Sequence, residues 1–288
     1  IHDAVEAYIQ DPSVYPAISE WDVSSVTDMS YLFHNKRHFN ELLNKWNTAQ
    51  VTNMANMFHG AYYFNQPLDK WNTVHVTDMN GMFYCAYRFN QPLSTWDMAQ
   101  VTNLEAMFYY DTYFHQDLDT WNTAKVTTMH YLFLGAKRFN SPLGSWNTAQ
   151  VTDMGGVFSE TENFNQPVGM WNTERVTAMN SLFDAASRFN HSLDTWNTER
   201  VTTMRSMFVR AYDFNQPLGS WNTERVQDIG SMFYLASDFN QPLGTWNTEE
   251  VTNMRHMFSR ARSFNQPLGS WNTRHVTSIR DMFKYADQ

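Results

Sequence analysis

Histidine, serine and aspartate side chains recur through the chain, and these residue types could supply a catalytic triad or a metal site. His34 and His59 hold the same place in successive repeats of the sequence, so their imidazoles should lie together. A metal ion needs more ligands than this pair offers. The Ser, His and Asp residues stand at variable places in the repeats, and the sequence has no glycine-rich phosphate loop. The sequence therefore predicts no enzyme, no cofactor and no metal site.

Tyrosine clusters in one part of the chain. Seven of the fourteen tyrosines lie between residues 62 and 113, at variable places in the repeats. They are Tyr62, Tyr63, Tyr84, Tyr87, Tyr109, Tyr110 and Tyr113. The repeat would bring them into one patch over adjacent units, and exposed aromatic patches mark binding sites. The cluster predicts a surface for glycan or protein, or equally a packing layer where helices end.

The two ends of the chain differ in charge. Residues 1–28 hold six acidic side chains and no Lys or Arg, whereas residues 251–288 hold five Arg and one Lys against Asp281 and Asp287. The chain also stops within a repeat, at MFKYADQ. Either the protein continues there, or this apolar end contacts another copy head to tail, with charge setting the orientation. The candidate interface residues are Asp3, Glu6, Asp11, Arg255, Arg260, Arg262, Arg280 and Phe283.

Composition narrows the classes of partner. The formal net charge of −9 argues against nucleic acid, which requires a basic face. Mean hydropathy is −0.54, and no apolar run approaches the roughly 18–20 residues of a membrane span, so membrane insertion is not expected. Ile1 in place of Met fits either a removed signal peptide or a later start. Asn190 begins an N-x-S sequon and is a possible N-glycosylation site.

The elements that position these residues come from a sequence repeat with a period of 25 residues. All eleven Trp residues fall on this spacing, from Trp21 to Trp271. A Val follows each Trp by five residues, and the twenty-one Phe residues occupy two further places in the same frame. We expect an N-terminal cap over residues 1–20 and one solenoid over residues 21–288 that ends within a repeat.

The repeat at residues 51–75 shows the expected fold of each unit. Val51, Met54, Met57, Phe58 and Ala61 have the spacing of one helix face, and Thr52 or Asn53 could cap that helix. Pro67 ends this pattern, and a short strand is expected near 69–72. The predicted fold is an α/β repeat solenoid of about eleven coils, each a short helix and a short parallel strand, right-handed and similar to leucine-rich repeats.

The pattern FNQPLxxWNTxxVTxMxxMFxxAxx resembles the BspA-like leucine-rich-repeat surface proteins, a family also described by a lipoprotein-associated repeat of the same length. The resemblance covers nearly the whole chain. It implies an extracellular or cell-surface protein, often linked to adhesion, and it brings no catalytic residues. The segments FHQDL at 114–118 and FNHSL at 189–193 lack the Pro of the pattern, which does not challenge the expected fold.

Two functional hypotheses follow for a non-enzymatic repeat protein. The first is a structural unit that assembles head to tail with itself into a fibre or surface layer. The second is a monomeric surface adhesin that binds a glycan or a host or cell-surface protein through the tyrosine patch. In both, function belongs to the variable residues and the ends, because the invariant residues form the core.

Overall fold

The computed structural model of the protein describes residues 1–286. Its regular elements lie at the N-terminus: helix α1 spans His2–Gln10, and two 3₁₀ helices span Pro12–Val14 and Ile18–Glu20. Residues 21–286 form stacked coils built from turns, one coil per repeat, and we number them from coil 1 at residues 26–50. Within residues 1–286, no helix has the length and apolar character needed to cross a membrane.

Helix α1 packs against the first coils. Val5 and Tyr8 are its buried residues, and the Tyr8 ring meets the Trp21 ring edge-on at 5.5 Å. The Tyr8 hydroxyl donates a hydrogen bond to Glu41 at 2.6 Å. Glu6 of the helix forms an ion pair with Lys36 at 2.6 Å. These contacts fix the N-terminal segment to coil 1.

The predicted helix and strand of each repeat are both wrong. Residues 51–61, expected to be helical, form a series of turns, and residues 69–70 of the expected strand form another turn. Parallel pairing is instead limited to one residue per coil. The residue that pairs is Asn53, which bridges Asp28 in the preceding coil and Asp78 in the next. The described residues therefore contain no β-sheet, and the α/β fold class does not hold.

Backbone hydrogen bonds show why the turns replace a helix. The N–H groups of Met54, Asn56 and Phe58 donate to carbonyls of the next coil at 3.0, 2.7 and 2.9 Å. Met57 and His59 instead donate three residues back, both at 3.2 Å. An α-helix would direct every N–H four residues back along its own chain. The alternating pattern links adjacent coils and leaves few backbone groups without a partner.

The distance between coils excludes a helix in each of them. The first Phe of each coil, Phe58 in coil 2, stacks on its counterparts with ring centroids 5.3–6.0 Å apart. Packed helices need axes about 8–10 Å apart. Helices stacked at the observed spacing would overlap, so the chain adopts a flatter path.

Two residues in each coil take positive φ angles to make this path. In coil 2 they are Asn56, with φ of 57°, and Gly60, with φ of 70°. The turns reverse the backbone so that alternate N–H groups point along the stack. Most of these positions are not glycine, so the left-handed conformation was not visible as a glycine pattern.

The core consists of three continuous aromatic columns. Phe58 and Phe64 stack within their coil at 4.0 Å, and each continues into the next coil. Trp71 belongs to the third column, in which its indole lies 6.4 and 6.5 Å from those of Trp46 and Trp96. The Trp71 Nε1–H donates to the Leu43 carbonyl at 3.0 Å, which satisfies the indole inside the core.

A ladder of asparagines runs beside the core. The Asn65 N–H donates to Asn40 Oδ1 at 2.8 Å, and the Asn90 N–H donates to Asn65 Oδ1 at 3.0 Å. The same bond recurs at Asn215 and Asn240. This asparagine column is therefore a structural ladder that links adjacent coils.

Candidate binding surface

Two adjacent residues in each coil lie in a turn between two buried side chains. In coil 2 they are Tyr62 and Tyr63, which stand between buried Ala61 and Phe64. We call these two places in coils 1–5 the aromatic-basic stripe. Its members are Arg37, His38, Tyr62, Tyr63, Tyr87, Arg88, Thr112, Tyr113, Lys137 and Arg138. None of them is acidic, although the chain as a whole is strongly acidic.

Cations cover part of the tyrosine rings on the stripe. The guanidinium carbons of Arg37, Arg88 and Arg138 lie 4.9, 5.1 and 4.3 Å from the ring centroids of Tyr62, Tyr63 and Tyr113. Each pair joins residues of neighbouring coils. Such cation–π contacts hold both side chains in place, so the stripe is ordered before any ligand arrives.

Tyr63 and Tyr113 are the most exposed tyrosines of the stripe, and the Tyr63 ring also stacks on the His38 imidazole at 5.3 Å. Their exposed fractions are 38% and 46%, whereas Tyr62 and Tyr87 are half-buried. The Tyr62 and Tyr87 rings contact each other at 4.9 Å. A hydrogen bond with Cys85, together with burial, raises the pKa of Tyr87 to about 12. Tyr87 therefore keeps its proton at neutral pH.

Tyr84 and Tyr109 belong to a second, inner row of stacked rings. The row begins with the imidazoles of His34 and His59 and continues with the two tyrosine rings. The distances between successive ring centroids, from His34 to Tyr109, are 4.6, 4.3 and 4.2 Å. Burial and the neighbouring imidazole of His34 lower the pKa of His59. The ring faces of Tyr84 and Tyr109 are stacked on each other. These two tyrosines are therefore part of the packing layer that the sequence left open as an alternative.

Tyr110 lies along the stack toward coil 6. Its ring lies over Gly135, where an added Cβ would stand 2.5 Å from Tyr110 Cδ1. Its hydroxyl donates to Glu160 Oε2 at 3.1 Å, two coils away. The seven predicted tyrosines thus divide into four on the stripe, two in the inner row, and Tyr110 held by Glu160.

Two open grooves border the stripe. The first, of about 260 Å³, is lined by Asn65, Arg88 and Tyr113. The second, of about 420 Å³, is lined by His115, Arg138, Asn140 and Ser141. Both place one guanidinium next to uncharged hydrogen-bonding groups. Such grooves can accept a chain of hydroxyl and anionic groups that lies along the coils.

The basic residues of this surface were not among those predicted from the sequence. Arg88 and Arg138 hold the same place in the repeat as Tyr63 and Tyr113, and the four residues alternate from one coil to the next. Sorting residues by their place in the repeat, rather than counting tyrosines, would have found them. The alternation of Tyr and Arg was visible in the sequence, but other residue types occupy the same place in the remaining repeats.

The acidic residues expected at the end-to-end interface have different surroundings. Asp3 is exposed, and Glu6 is paired with Lys36. Asp11 accepts hydrogen bonds from the Ser13 hydroxyl and N–H, which lower the pKa of its carboxyl. Two of the three carboxylates therefore already have partners within the chain.

Most of the predicted interface residues at the basic, C-terminal end also contact other side chains of the chain. Arg262 and Phe283 are exposed, and the other three arginines contact neighbouring side chains. These contacts join Arg255 to His256 at 3.0 Å, Arg260 to the Tyr285 ring at 5.0 Å, and Arg280 to Asp281 at 3.6 Å. Asp287, which entered the charge count, lies outside the described residues. The end-to-end interface stays a prediction.

Two further predicted sites have simple surroundings. Asn190 is exposed, but its Oδ1 accepts hydrogen bonds from Asn215 and Gln216 in the asparagine ladder. Its glycosylation stays a prediction.

Over residues 1–286, no group of three or more His, Cys, Asp or Glu side chains is arranged to hold a metal ion. His34 and His59 belong to the inner row described above.

Comparison with known proteins identifies a repeat family. The model of the family DUF285, described as "Mycoplasma protein of unknown function", matches residues 4–121, 111–198 and 178–288. A search of curated proteins found no match. The matches support a repeat-containing family, and the finer BspA-like leucine-rich-repeat assignment stays a prediction. Since the three overlapping matches extend over nearly the whole length, the chain belongs to the repeat-containing family DUF285.

Proposed function

We propose that this chain is a non-enzymatic protein of the cell surface or extracellular space that binds carbohydrate through the aromatic-basic stripe. One observation carries the proposal: Tyr63 and Tyr113 present exposed rings that are held by Arg88 and Arg138 of the following coils. The location outside the cell rests on the resemblance of the repeats to surface proteins.

A sugar suits these rings for an electrostatic reason. The face of an aromatic ring carries partial negative charge, and the C–H groups on one side of a pyranose are weakly positive. Tyr113 has Arg138 over one face and lines a groove with Arg88, whereas the Tyr63 ring contacts both Arg88 and His38 and offers mainly its exposed edge. Beside the rings, Asn65 and Asn140 are exposed members of the asparagine ladder. Their amides can exchange hydrogen bonds with sugar hydroxyls. The stripe therefore offers both groups that a sugar needs.

A protein partner fits the stripe less well. Stable protein interfaces usually have an apolar centre within about 800 Å² of buried surface per partner. The large exposed hydrophobic side chains of the stripe are Tyr63 and Tyr113, and no aliphatic side chain accompanies them there. A narrow line of rings and cations is better matched to an extended polymer than to a folded domain.

Replacement of both open tyrosines tests the proposal. The variant Tyr63→Ala/Tyr113→Ala should lose glycan binding by about tenfold or more, because exposed aromatic anchors carry a large share of binding energy. Binding would be measured on a glycan array and then by titration with the best ligand. Thermal unfolding of the variant should stay close to that of the parent, since both rings are exposed.

Tyr212 supplies the matched control. It is 42% exposed and occupies the Tyr62 place of the repeat in coil 8, outside the stripe. Tyr212→Ala should bind as the parent does. Unchanged binding by the Tyr63→Ala/Tyr113→Ala variant, or a parent that binds no glycan on the array, would contradict the proposal.

Head-to-tail assembly, the leading hypothesis from the sequence, stays a separate proposal. Because Glu6 pairs with Lys36 and Arg280 lies near Asp281, charge steering would depend mainly on Asp3 and Asp11 at one end and on Arg255, Arg260 and Arg262 at the other. Negative-stain electron microscopy at low and moderate salt would decide it. Filaments one solenoid wide would support assembly, and single rods at every concentration would contradict it.

A further inference from the structure

We propose that the carbohydrate is acidic, with carboxylate or sulfate groups that bind to Arg88 and Arg138 on either side of Tyr113. This inference rests on the proposed carbohydrate-binding function. It adds the chemical class of the ligand and the side chains that recognise it. The arginines would select for charge, whereas the tyrosines supply the stacking surface.

The local charge differs in sign from that of the protein. The net charge is −9, yet the stripe carries Arg37, Arg88, Lys137 and Arg138 and no acidic residue. Beyond coil 5 this changes, since Glu162 stands at the next position of the stripe and pairs with Lys137 at 2.7 Å. The run of coils that carries no acidic residue at these two places therefore ends at coil 5.

The acidic side chains nearest Tyr113 in sequence have other roles. Asp111 is fully buried beneath the stripe. Asp117 and Asp119 lie in the turn that follows, where Asp119 accepts hydrogen bonds from Ser145 and Asp117 accepts one from the Asp119 N–H. Near the N-terminal end of the stripe, Glu41 accepts from the Tyr8 hydroxyl. None of these carboxylates forms an ion pair with an arginine of the stripe.

The guanidinium groups of Arg88 and Arg138 are available to an anionic ligand. Within residues 1–286, neither guanidinium lies within ion-pair distance of a carboxylate, whereas Arg210 pairs with Asp184 at 2.9 Å. Each instead lies over a tyrosine ring of the preceding coil, Tyr63 or Tyr113. A guanidinium that stacks through its face keeps its N–H edge available for a planar anion. Carboxylate and sulfate both accept such paired hydrogen bonds.

One departure from the repeat opens the groove beside Arg138. Gln116 and Gln91 reach back to the preceding coil with their amide Nε2, both at 3.1 Å from the carbonyl they contact. In coil 5 this place is held by Ser141, whose shorter side chain makes the equivalent contact to the His115 carbonyl at 3.1 Å. The space that a glutamine would fill is part of the groove of about 420 Å³. The change from Gln to Ser thus makes room beside the guanidinium.

His115 is the other departure at this groove. It replaces the ladder asparagine, and its N–H still donates to Asn90 Oδ1 at 3.1 Å. Its Nδ1 lies 2.8 Å from the Tyr113 carbonyl, which can only accept, so Nδ1 carries the proton. This bond fixes the imidazole next to Tyr113. His115 and Ser141 are thus two departures from the repeat pattern, and both line the same groove as Arg138.

Binding of defined polysaccharides tests the inference. Polygalacturonate and dextran sulfate carry carboxylates and sulfates, and methyl-esterified polygalacturonate and dextran are their uncharged counterparts. The full chain should bind at least one acidic polymer about tenfold or more tightly than its counterpart, as expected for charge-assisted hydrogen bonds. Biolayer interferometry at one fixed ionic strength would measure all four, and the two acidic polymers separate carboxylate from sulfate recognition.

Variants localise the effect. Arg88→Gln/Arg138→Gln should reduce the affinity for the acidic polymer about tenfold or more, whereas Arg188→Gln, an exposed arginine at the same place in coil 7, should not. Ser141→Gln restores the residue of most other repeats, so it should fold normally while it fills the groove and weakens binding.

The outcomes separate the two proposals. Equal binding of acidic and uncharged polymers would overturn the acidic ligand and leave carbohydrate binding intact. Failure to bind any of the four polymers, together with an empty glycan array, would overturn both. Tighter binding of a poly(dT) oligonucleotide than of either acidic polysaccharide would also overturn the inference, because stacked bases and phosphates would then be the preferred ligand.

Discussion

At the scale of single residues, Asp111 is the least favourable side chain of the core. Both of its carboxyl oxygens are buried without a hydrogen-bond partner, and its exposed fraction is 0%. Eight other coils carry Ala at this place in the repeat, including the flanking Ala86 and Ala136. Burial raises the pKa of Asp111 well above its usual range. Burial in the apolar core therefore favours the uncharged form of this carboxyl.

Asp111→Ala should stabilise the protein in a pH-dependent way. The pKa is near 3.9 in the unfolded chain and raised in the folded protein, so the folded state binds more protons and stability falls as pH rises above about 4. The substitution should add about 1–3 kcal/mol at pH 7 and less near pH 4. Thermal unfolding at both values would measure this.

Thr161 provides a control for this prediction. It is fully buried at the same place in coil 6, and its hydroxyl donates to the Phe158 carbonyl at 2.5 Å. Thr161→Ala should show no comparable gain and no dependence on pH in this range. An equal gain from Asp111→Ala at pH 4 and pH 7 would show that the buried carboxyl does not titrate as argued.

Gly135 shows how one coil depends on the next. Its φ of 72° favours glycine, and Tyr110 occupies the space of a Cβ. Gly135→Ala should destabilise the protein by about 1–2 kcal/mol through left-handed strain alone, and it should also displace the Tyr110 hydroxyl from Glu160. Gly144→Ala is the matched control, because nothing lies within 4 Å of its added Cβ. Similar melting temperatures for the two variants would refute the argument.

At the scale of the element, the sequence predicted the buried residues correctly and the backbone wrongly. Met54, Met57, Phe58 and Ala61 are all buried, as a helix face would be. The chain of turns places the same residues inside, so apolar spacing alone could not separate the two structures. The spacing between coils could have done so, because one flat aromatic ring per coil leaves less room than a helix axis requires.

The capping interpretation failed in a similar way. Asn53 does accept the N–H of residue 55, at 2.9 Å, as a residue at the start of a helix would. Here the bond closes a turn, and Asn53 also forms the bridge to neighbouring coils. The same hydrogen bond from a backbone N–H to a side-chain oxygen occurs at the start of a helix and at the start of a turn. Which one follows depends on contacts with the adjacent coils, which a local motif does not contain.

For the proposed binding surface, the sequence indicated the tyrosine cluster but not the arginines beside it. Tyr63 and Tyr113 were predicted and are open, whereas Tyr84 and Tyr109 stack on each other. Arg88 was missed, although its place in the repeat was readable. The orientation of Tyr110 over Gly135 was not readable, because it depends on a rotamer choice across coils.

At the scale of the whole molecule, each coil contacts its neighbours and little else. Deletion of residues 226–250 removes one complete coil and joins Arg225 to Val251 in the same frame. The columns remain continuous, so this variant should fold and bind carbohydrate as the parent does. Circular dichroism and the polysaccharide titration would check both properties.

A second deletion gives the contrast. Loss of residues 101–125 also preserves the frame, but it removes Tyr113 and His115 and brings Arg138 next to Arg88. This variant should fold and lose most of its affinity for the ligand. Equal loss of binding in both deletions would show that affinity follows the number of coils instead of the stripe.

The bonds between coils also determine how the molecule responds to tension. Hydrogen bonds such as the one from Met54 to the Asp78 carbonyl run from coil to coil, while the covalent chain passes through every coil in series. A pull on the two ends therefore peels one outer coil at a time, and each released coil adds about 80–90 Å of contour length at 25 residues. A chain that unfolds in this way would lengthen in steps under load, and each step would limit the rise in force on whatever is attached to it.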